Sequence, residues 1–197
     1  MFKSTAVIAL VALMIGGTNT AAQEQTTPTH GPWQLIVSSG SFIPTGAHRA
    51  AVERGNTTVA QVSYLVQEGL ALTASFGWAR TRDVAGLDSP RLHMFTYDLG
   101  AEVRGGRWLD GSRLSFRPFA GAGAGGRTYD YRKLPVDATH NAAGYVSAGG
   151  ELGIVHRVTL RLEARDYITG FKGLDGVGAT ETRNDVTVMA GLRLGVR

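Results

Sequence analysis

The chain has 197 residues, with 27 glycines, no cysteine, 18% charged residues and a formal net charge of +4. The absence of cysteine excludes a disulfide-stapled scaffold, a thiolate metal site and a cysteine nucleophile. Glycine is abundant while proline is limited to 6 residues, a balance that excludes collagen and disfavours a disordered linker. The basic residues are scattered singly along the chain, so the positive charge does not indicate nucleic-acid binding.

The first 22 residues have the pattern of a secretory signal peptide. Lys3 precedes an unbroken apolar run from Ala6 to Ile15, and small residues continue to Ala22. An apolar run of about ten residues is too short for a helix that must cross a bilayer, which needs about 20. We therefore expect cleavage after Ala22, a short periplasmic segment over residues 23–32 and a folded domain over residues 33–197.

Beyond the leader, apolar and polar residues alternate with a period of two. Leu72, Phe76 and Trp78 share one side of their segment, and Thr73 and Ser75 share the other. This alternation is typical of strands, and runs of about ten residues are long enough to cross a bilayer at a tilt. The predicted strands are residues 33–44, 57–66, 70–82, 93–103, 114–127, 143–155, 158–168 and 185–196.

The links between the predicted strands alternate in length. Long links cover residues 45–56, 83–92, 128–142 and 169–184. Short links cover residues 67–69 and 156–157, and a medium link, longer than this pattern prefers, covers residues 104–113. Long extracellular loops and short periplasmic turns are typical of outer-membrane barrels, so both termini are expected on the periplasmic side.

The polar side of these strands carries charges of both signs in near balance. An eight-stranded barrel has an interior just wide enough for side chains to fill, so charges there can pair across the lumen. We predict a structural charge network rather than an ion pathway. Its members are Asp98, Glu102, Arg104, Arg117, Glu151, Arg161, Glu163, Arg165, Asp185 and Arg193.

Aromatic residues cluster near the predicted strand ends, which indicates two interfacial girdles. The periplasmic girdle contains Trp33, Tyr64 and Phe116. The girdle near the long loops contains Phe42, Phe76, Trp78, Phe95, Tyr97, Tyr129, Tyr131, Tyr167 and Phe171. In the 128–142 link, a mixed aromatic and basic tip is either a solvated loop or an extracellular binding site with candidates Tyr129, Tyr131, Arg132 and Lys133.

Three stretches carry a resemblance to a known family: RPFAGAGAGG at 117–126, GGELG at 149–153 and LRLEARDY at 160–167. The chain resembles the small OmpA-like outer-membrane β-barrel proteins. This resemblance implies an all-β, eight-stranded, antiparallel up-and-down transmembrane β-barrel in a bacterial outer membrane, in contact with membrane lipid and lipopolysaccharide and monomeric.

The resemblance also implies recognition of the last strand by the barrel-assembly machinery. Residues 191–196 fit the central part of the family's C-terminal pattern. Met189 stands at its polar position, Val196 at its aromatic position, and Arg197 follows as the last residue.

The remaining motifs do not predict catalysis, a metal or a cofactor. Residues 121–126 match G-x-G-x-x-G, but a strand rather than a helix follows, which favours small residues that let a closed sheet bend. The five histidines lack metal-ligand spacing. A catalytic set of His140, Ser147 and Glu151 is conceivable for a barrel that modifies lipid A.

We therefore expect a non-catalytic outer-membrane barrel with a structural or adhesin-like role and a filled polar lumen. Two alternatives remain. One is a barrel enzyme that modifies lipid A, and the other is a soluble periplasmic lipocalin-like barrel that binds a small apolar ligand.

Overall fold

The computed structural model describes residues 31–84, 89–108, 115–132, 137–155, 158–171 and 181–196, so the predicted signal peptide and residues 23–30 lie outside the described residues. In this part of the chain a single 3-10 helix (Gly46–Ala50) accompanies the strands. The described residues include no helix that is long and apolar enough to span a membrane. The strands are β1 (Trp33–Pro44), β2 (Gly55–Gln67), β3 (Leu70–Arg82), β4 (Arg91–Arg104), β5 (Phe116–Tyr131), β6 (Thr139–Val155), β7 (Val158–Phe171) and β8 (Glu181–Val196).

The eight strands form a closed barrel in which every strand pairs antiparallel with its neighbours in the chain. The barrel is closed by β1 and β8, whose register runs from the Trp33–Val196 pair to the Pro44–Asp185 pair. Closure leaves no strand edge with unpaired backbone groups. The predicted fold class, an eight-stranded antiparallel up-and-down barrel, is confirmed.

The two ends of the barrel differ in the length of their connections. At one end, which we name the turn end, Glu68 and Gly69 alone join β2 to β3. Gly69 has a φ of +85°, a left-handed conformation that favours glycine. A long link, residues 105–115, joins β4 to β5 at the same end. At the opposite end, the loop end, the links are residues 45–54, 83–90, 132–138 and 172–180, all longer than the β2–β3 turn.

Several strands continue further toward the loop end than the sequence pattern predicted. The predicted start of β5 at Leu114 falls among residues outside the described part, but its end at Tyr131 lies four residues past the predicted one. The same extension lengthens β2 to begin at Gly55, β4 at Arg91, β6 at Thr139 and β8 at Glu181, and β7 to end at Phe171. These strands therefore extend beyond the alternating segments from which their ends were predicted.

Along most of the barrel, apolar side chains point outward and polar ones point inward. On β4, Leu99 is 71% exposed while its neighbour Asp98 is 4% exposed. Val103 is likewise exposed and Glu102 is buried. This polarity is the reverse of a soluble barrel, in which large apolar residues fill the core.

At the loop end, this polarity inverts. An apolar cluster fills the interior there and consists of Phe42, Val52, Ala79, Leu92, Met94, Tyr129 and Tyr131. The outward positions at the same level are polar, for example Arg80 and Arg82 on β3 and Arg91 on β4. The loop end is thus built like a soluble protein, with an apolar core and a charged surface.

The link between β1 and β2 folds into the mouth of the barrel at the loop end. Its 3-10 helix buries the side chain of His48, and Val52 forms an isolated bridge with Asp83. The backbone N–H of Val84 donates to the carbonyl of Ala51 at 2.8 Å. This loop therefore covers part of the mouth and joins the apolar cluster through Val52.

Candidate functional site

Arg161 on β7 is the centre of the charge network in the half of the lumen nearer the turn end. Its guanidinium donates to Glu163 at 2.9 Å, to Glu151 at 3.0 Å and to Glu102 at 2.5 Å. The same group lies 3.5 Å from the centre of the Phe119 ring. All four charged side chains are buried, so this cation neutralises carboxylates from β4, β6 and its own strand.

Arg104 extends this network to the opposite wall. Its Nε donates to Glu102 at 2.7 Å, and its two terminal nitrogens donate to Gln34 at 2.7 Å and to Ser63 at 3.2 Å. These contacts connect β4 to β1 and β2, which are not its sheet neighbours. The lumen is therefore crossed by side chains at this level.

Two partly exposed arginines complete the turn end. Arg193 Nη2 lies 3.1 Å from Glu151 Oε2. Arg117 lies nearer the rim, where its Nη2 is 3.8 Å from Glu68 Oε1 in the turn between β2 and β3. Both cations therefore stand between the buried carboxylates and the turn-end opening.

Arg165 organises the middle of the lumen. Its Nε donates to Glu163 at 2.5 Å, and another nitrogen makes a short hydrogen bond to Gln61 on β2. Tyr167 donates to Asp98 at 2.8 Å, which joins β7 to β4. A second level of side chains therefore spans the barrel.

A third buried charge cluster lies next to the apolar cluster of the loop end. Asp185 on β8 receives a short hydrogen bond from Arg127 on β5 through one oxygen. Its other oxygen lies 2.6 Å from His48 Nδ1. Because His48 belongs to the 3-10 helix, this carboxylate ties the inserted loop to both the β5 and the β8 walls.

The buried charges nearly balance. Among the described residues, the buried acids are Asp83, Asp98, Glu102, Glu151, Glu163 and Asp185, and the buried arginines are Arg104, Arg127, Arg161 and Arg165. With Arg117 and Arg193 at the turn end, the arginines also number six. Transfer of ions out of water is costly unless each is paired and hydrogen-bonded, so this arrangement gives specificity to one closed packing rather than large net stability.

The structure places all ten residues of the predicted network on the inner face. Eight of them are buried, and Arg117 and Arg193 lie at the turn-end mouth. Sequence reasoning missed Arg127, although it occupies the same inward register of β5 as Arg117. It also missed His48, for which a loop position offers no alternation signal.

The prediction that Tyr129 and Tyr131 lie in an extracellular loop is wrong. They belong to β5 and point into the barrel, where they are 1% and 8% exposed. Tyr131 donates from its hydroxyl to Asp83 at 2.7 Å. Arg132 is exposed at the loop end, 3.5 Å from Asp130, and Lys133 lies outside the described residues.

The predicted girdle near the long loops requires a related correction. Phe42, Tyr129, Tyr131 and Tyr167 point inward and are buried. Phe76, Trp78, Phe95 and Tyr97 do lie on the outer face, where the Phe76 ring is 5.5 Å from the Tyr97 ring and 6.2 Å from the Phe95 ring. The outer aromatic group is therefore concentrated on β3 and β4.

The glycine-rich stretch of β5 makes room for an inward-pointing tyrosine. A Cβ at Gly123 would lie 2.5 Å from Cε1 of Tyr145, and a Cβ at Gly100 on β4 would overlap the hydroxyl of that tyrosine. The strand continues to Tyr131 with no helix after the motif. These glycines are thus explained by lumenal packing.

The structure does not bring the conceivable catalytic residues together. His140 is exposed on the outer face of β6, while Ser147 and Glu151 are buried on its inner face. His140 instead lies 2.8 Å from the hydroxyl of Thr128. Across the described ranges, no group of three or more histidine or acidic residues could hold a metal ion.

Fold and lumen together define a class: small closed barrels with an ionic interior and an apolar exterior. Neisserial surface protein A has this fold, with a TM-score of 0.61 and 12% identity over 84% of this chain and 97% of that chain. The N-terminal barrel domain of Pseudomonas aeruginosa OprF also matches, with a TM-score of 0.50 and 13% identity over 84% and 99%. No protein-family model and no curated protein sequence matches the chain.

Proposed function

We propose that this protein is a monomeric, non-conducting barrel of a bacterial outer membrane with a structural or surface-interaction role. The observation that carries the proposal is the outward apolar surface. Leu72, Leu99, Val103, Leu162 and Val188 are each at least half exposed although they lie in regular strands. Soluble proteins rarely expose a continuous apolar surface of this kind, whereas a barrel in lipid requires it.

The height of the apolar surface fits a membrane. On β4 the outward side chains are apolar from Phe95 to Val103. At about 3.4 Å per residue and a tilt of about 40°, these eight steps rise about 21 Å along the barrel axis. Outer-membrane barrels have an apolar band of about 25 Å. Phe95 and Tyr97 lie at its upper edge, where aromatic side chains favour the lipid–water interface.

The two-residue links between β2 and β3 and between β6 and β7 favour an orientation with the loop end outside the cell, and the long β4–β5 link is the exception at the turn end. Outer-membrane barrels place short turns in the periplasm and longer loops outside. In this orientation the inserted β1–β2 link covers part of the extracellular mouth, and the apolar cluster fills the interior at that end. One similar solved structure is a surface protein of Neisseria, which is in keeping with a role at the cell surface.

Substitution of an exposed apolar residue by arginine discriminates between a membrane barrel and a soluble one. In a membrane, Leu99→Arg places a charge within the band and lowers the free energy of unfolding by about 2–4 kcal/mol. In water, the same change at a 71% exposed site has little effect. His140→Arg is also outward but in register with Thr128 and Phe95 at the upper edge of the band, where an arginine costs only about 0–1 kcal/mol, so it is the matched control.

The measurement is the urea midpoint of the protein folded in phosphatidylcholine vesicles, together with cell fractionation. We expect the wild type in the outer-membrane fraction, with a heat-dependent shift on SDS gels, and a lowered midpoint for Leu99→Arg only. Recovery from the periplasm without detergent, or equal midpoints for the two variants, would support the lipocalin-like alternative.

The filled lumen leads us to propose that the barrel does not conduct ions. Side chains of Arg104, Arg161 and Arg165 connect strands on opposite walls at two levels. We expect no stable single-channel currents in planar bilayers at neutral pH. Sizeable, stable openings of the wild type would contradict a structural role for the network.

The proposal assigns no catalysis, because His140 and Ser147 occupy opposite faces of β6. We expect the lipid A of cells that express the protein to match that of cells that lack it. A change of acylation that is abolished by His140→Ala would instead favour the enzyme alternative.

A further inference from the structure

A basic cleft lies on the outside of the barrel at the loop end. Its volume is about 680 Å³, and its lining includes Arg54, Arg80, Arg82, Arg91 and His93. The four arginines are exposed. We name this set the basic cleft. No internal feature of the barrel accounts for it, because the lumenal network lies on the other face of the same strands.

The sheet register places two arginines of the cleft directly against one another. Arg80 on β3 is opposite His93 on β4, and Arg82 is opposite Arg91. Like charges directly opposite in a sheet are destabilising. In the described part of the chain, none of Arg54, Arg80, Arg82 and Arg91 forms an ion pair within 4.0 Å.

The acids near the cleft are too few to neutralise it. Glu53 lines the cleft, and Asp130 lies opposite His93 in the register with β5. Asp130 is 3.5 Å from Arg132, a further exposed arginine at this end. Among the described residues of this surface, five arginines therefore face two acids, and an anion bound between the strands would relieve the repulsion.

Aromatic side chains lie directly below the cleft, on the side of the apolar band. Along β3 the outward order is Phe76, Trp78, Arg80, Arg82. The Arg80 guanidinium lies 3.8 Å from the centre of the Trp78 ring, which fixes it at the boundary. The surface thus passes from apolar to aromatic to cationic along one strand. An anionic lipid has matching layers, because its apolar acyl chains lie next to a negatively charged headgroup.

A second depression adjoins the basic cleft and carries neutral polar groups. Its volume is about 590 Å³, and Asn56 and Arg80 line both depressions. Ser39, Ser41 and Thr58 add hydroxyl groups to it. Hydroxyl and amide groups donate and accept hydrogen bonds, which suits the hydroxyls of a sugar.

We propose that this surface binds a phosphorylated glycolipid of the outer leaflet. The arginines of the basic cleft hold the phosphate, because the guanidinium fork matches phosphate oxygens. The adjoining hydroxyls contact the sugar, and the acyl chains lie along Phe76, Phe95 and Tyr97. This inference rests on the proposed function, since it needs the loop end at the outer leaflet.

The test measures lipid binding to the full chain in phosphatidylcholine nanodiscs by native mass spectrometry. The probes are diphosphorylated lipid A, the same lipid without phosphates, and phosphatidylglycerol, which has a phosphate but no sugar. We expect diphosphorylated lipid A to bind tightest. Equal binding of the dephosphorylated lipid would overturn the phosphate site, and equal binding of phosphatidylglycerol would overturn the choice of a glycolipid.

The variant Arg82→Gln with Arg91→Gln removes two charges of the cleft. At roughly a fivefold loss for each arginine near a lipid surface, lipid A should bind about thirtyfold more weakly. Arg49→Gln with Arg107→Gln removes two exposed charges elsewhere and should leave binding unchanged. Arg82→Lys with Arg91→Lys keeps the charge without the guanidinium fork and should recover part of the affinity, which separates the site from a folding defect.

Two further outcomes complete the test. An equal loss in the control variant would reduce the effect to net charge and overturn the site. Displacement of lipid A by inorganic phosphate alone would show a soluble anion site and overturn lipid binding. A wild type that does not enter nanodiscs contradicts the proposed function itself, whereas one that enters without lipid preference contradicts only this inference.

Discussion

Arg161 on β7 and Glu102 on β4 meet across the lumen, with Nη2 and Oε2 2.5 Å apart. The two strands are separated in the barrel by β5 and β6 on one side, so this contact does not follow the sheet ladder. It joins walls that backbone hydrogen bonds connect only around the circumference. The pair thus fixes the width of the barrel at the level where the carboxylates are most concentrated.

Arg161→Met should strongly destabilise the barrel. The change leaves Glu102, Glu151 and Glu163 each with one cationic partner fewer in a buried site, which we expect to cost about 3–5 kcal/mol. Urea unfolding in vesicles, followed by tryptophan fluorescence, measures the difference. Arg107→Met removes an exposed arginine and serves as the control; equal midpoints for the two variants would argue against a structural network.

Gly125→Ala and Gly126→Ala form a matched pair on β5. A Cβ at Gly125 would overlap the carbonyl oxygen of Tyr97 and lie 2.8 Å from Cα of Asp98, whereas at Gly126 the nearest atom is 3.7 Å away. We expect Gly125→Ala to lower the free energy of unfolding by about 1–3 kcal/mol and Gly126→Ala to change it little. The fraction folded on unheated SDS gels reports the effect, and the reverse order would refute the packing explanation.

Tyr131→Phe tests the corrected position of this tyrosine. If the hydroxyl is buried and donates to Asp83 at 2.7 Å, its loss should cost about 1.5–3 kcal/mol. Tyr97→Phe, at a side chain that is 50% exposed on the outer face, should be nearly neutral. The temperature at which each variant loses its compact form on SDS gels measures the difference. If Tyr131→Phe leaves this temperature unchanged, the side chain lies in a solvated loop rather than in the barrel.

His48→Ala should release the β1–β2 link from the mouth of the barrel. The change removes the 2.6 Å contact between Nδ1 and Asp185 and a buried ring. We expect trypsin to cleave after the flanking Arg49 and Arg54 about tenfold faster, which corresponds to about 1.4 kcal/mol of local opening. Ala50→Ser, an exposed change in the same helix, is the control. Unchanged cleavage rates would mean that the histidine does not anchor the loop.

Alternation predicted the inner and outer faces well because a strand admits only two side-chain directions. Once Leu99 was assigned outward, Asp98 and Glu102 had to point inward, and the same logic placed Glu163 and Arg165. These assignments need no knowledge of which strands lie opposite. The identity of each ion-pair partner does need it, because pairs such as Arg161 with Glu102 depend on closure.

The errors are concentrated at the loop end, where the rule that apolar residues point outward no longer holds. Tyr129 and Tyr131 fall in the predicted 128–142 link, although residues 127–131 alternate as a strand. In the structure Thr128 and Asp130 face outward and the tyrosines form a core. The alternation continues through this segment, but its inward positions are apolar and its outward positions polar, the reverse of the barrel nearer the turn end. No local pattern indicated that the β1–β2 link, with His48, would contribute to this core.

The closing seam between β1 and β8 imposes an order on folding. The residues that it pairs are far apart in the chain: Trp33 meets Val196 and Pro44 meets Asp185. The first strand therefore has no partner on one edge until the last strand has been made. Contacts at such separation make folding slow, and an open edge in the meantime invites pairing with other chains. The interval between synthesis of β1 and closure of the barrel is thus the stage at which this protein is most prone to aggregation.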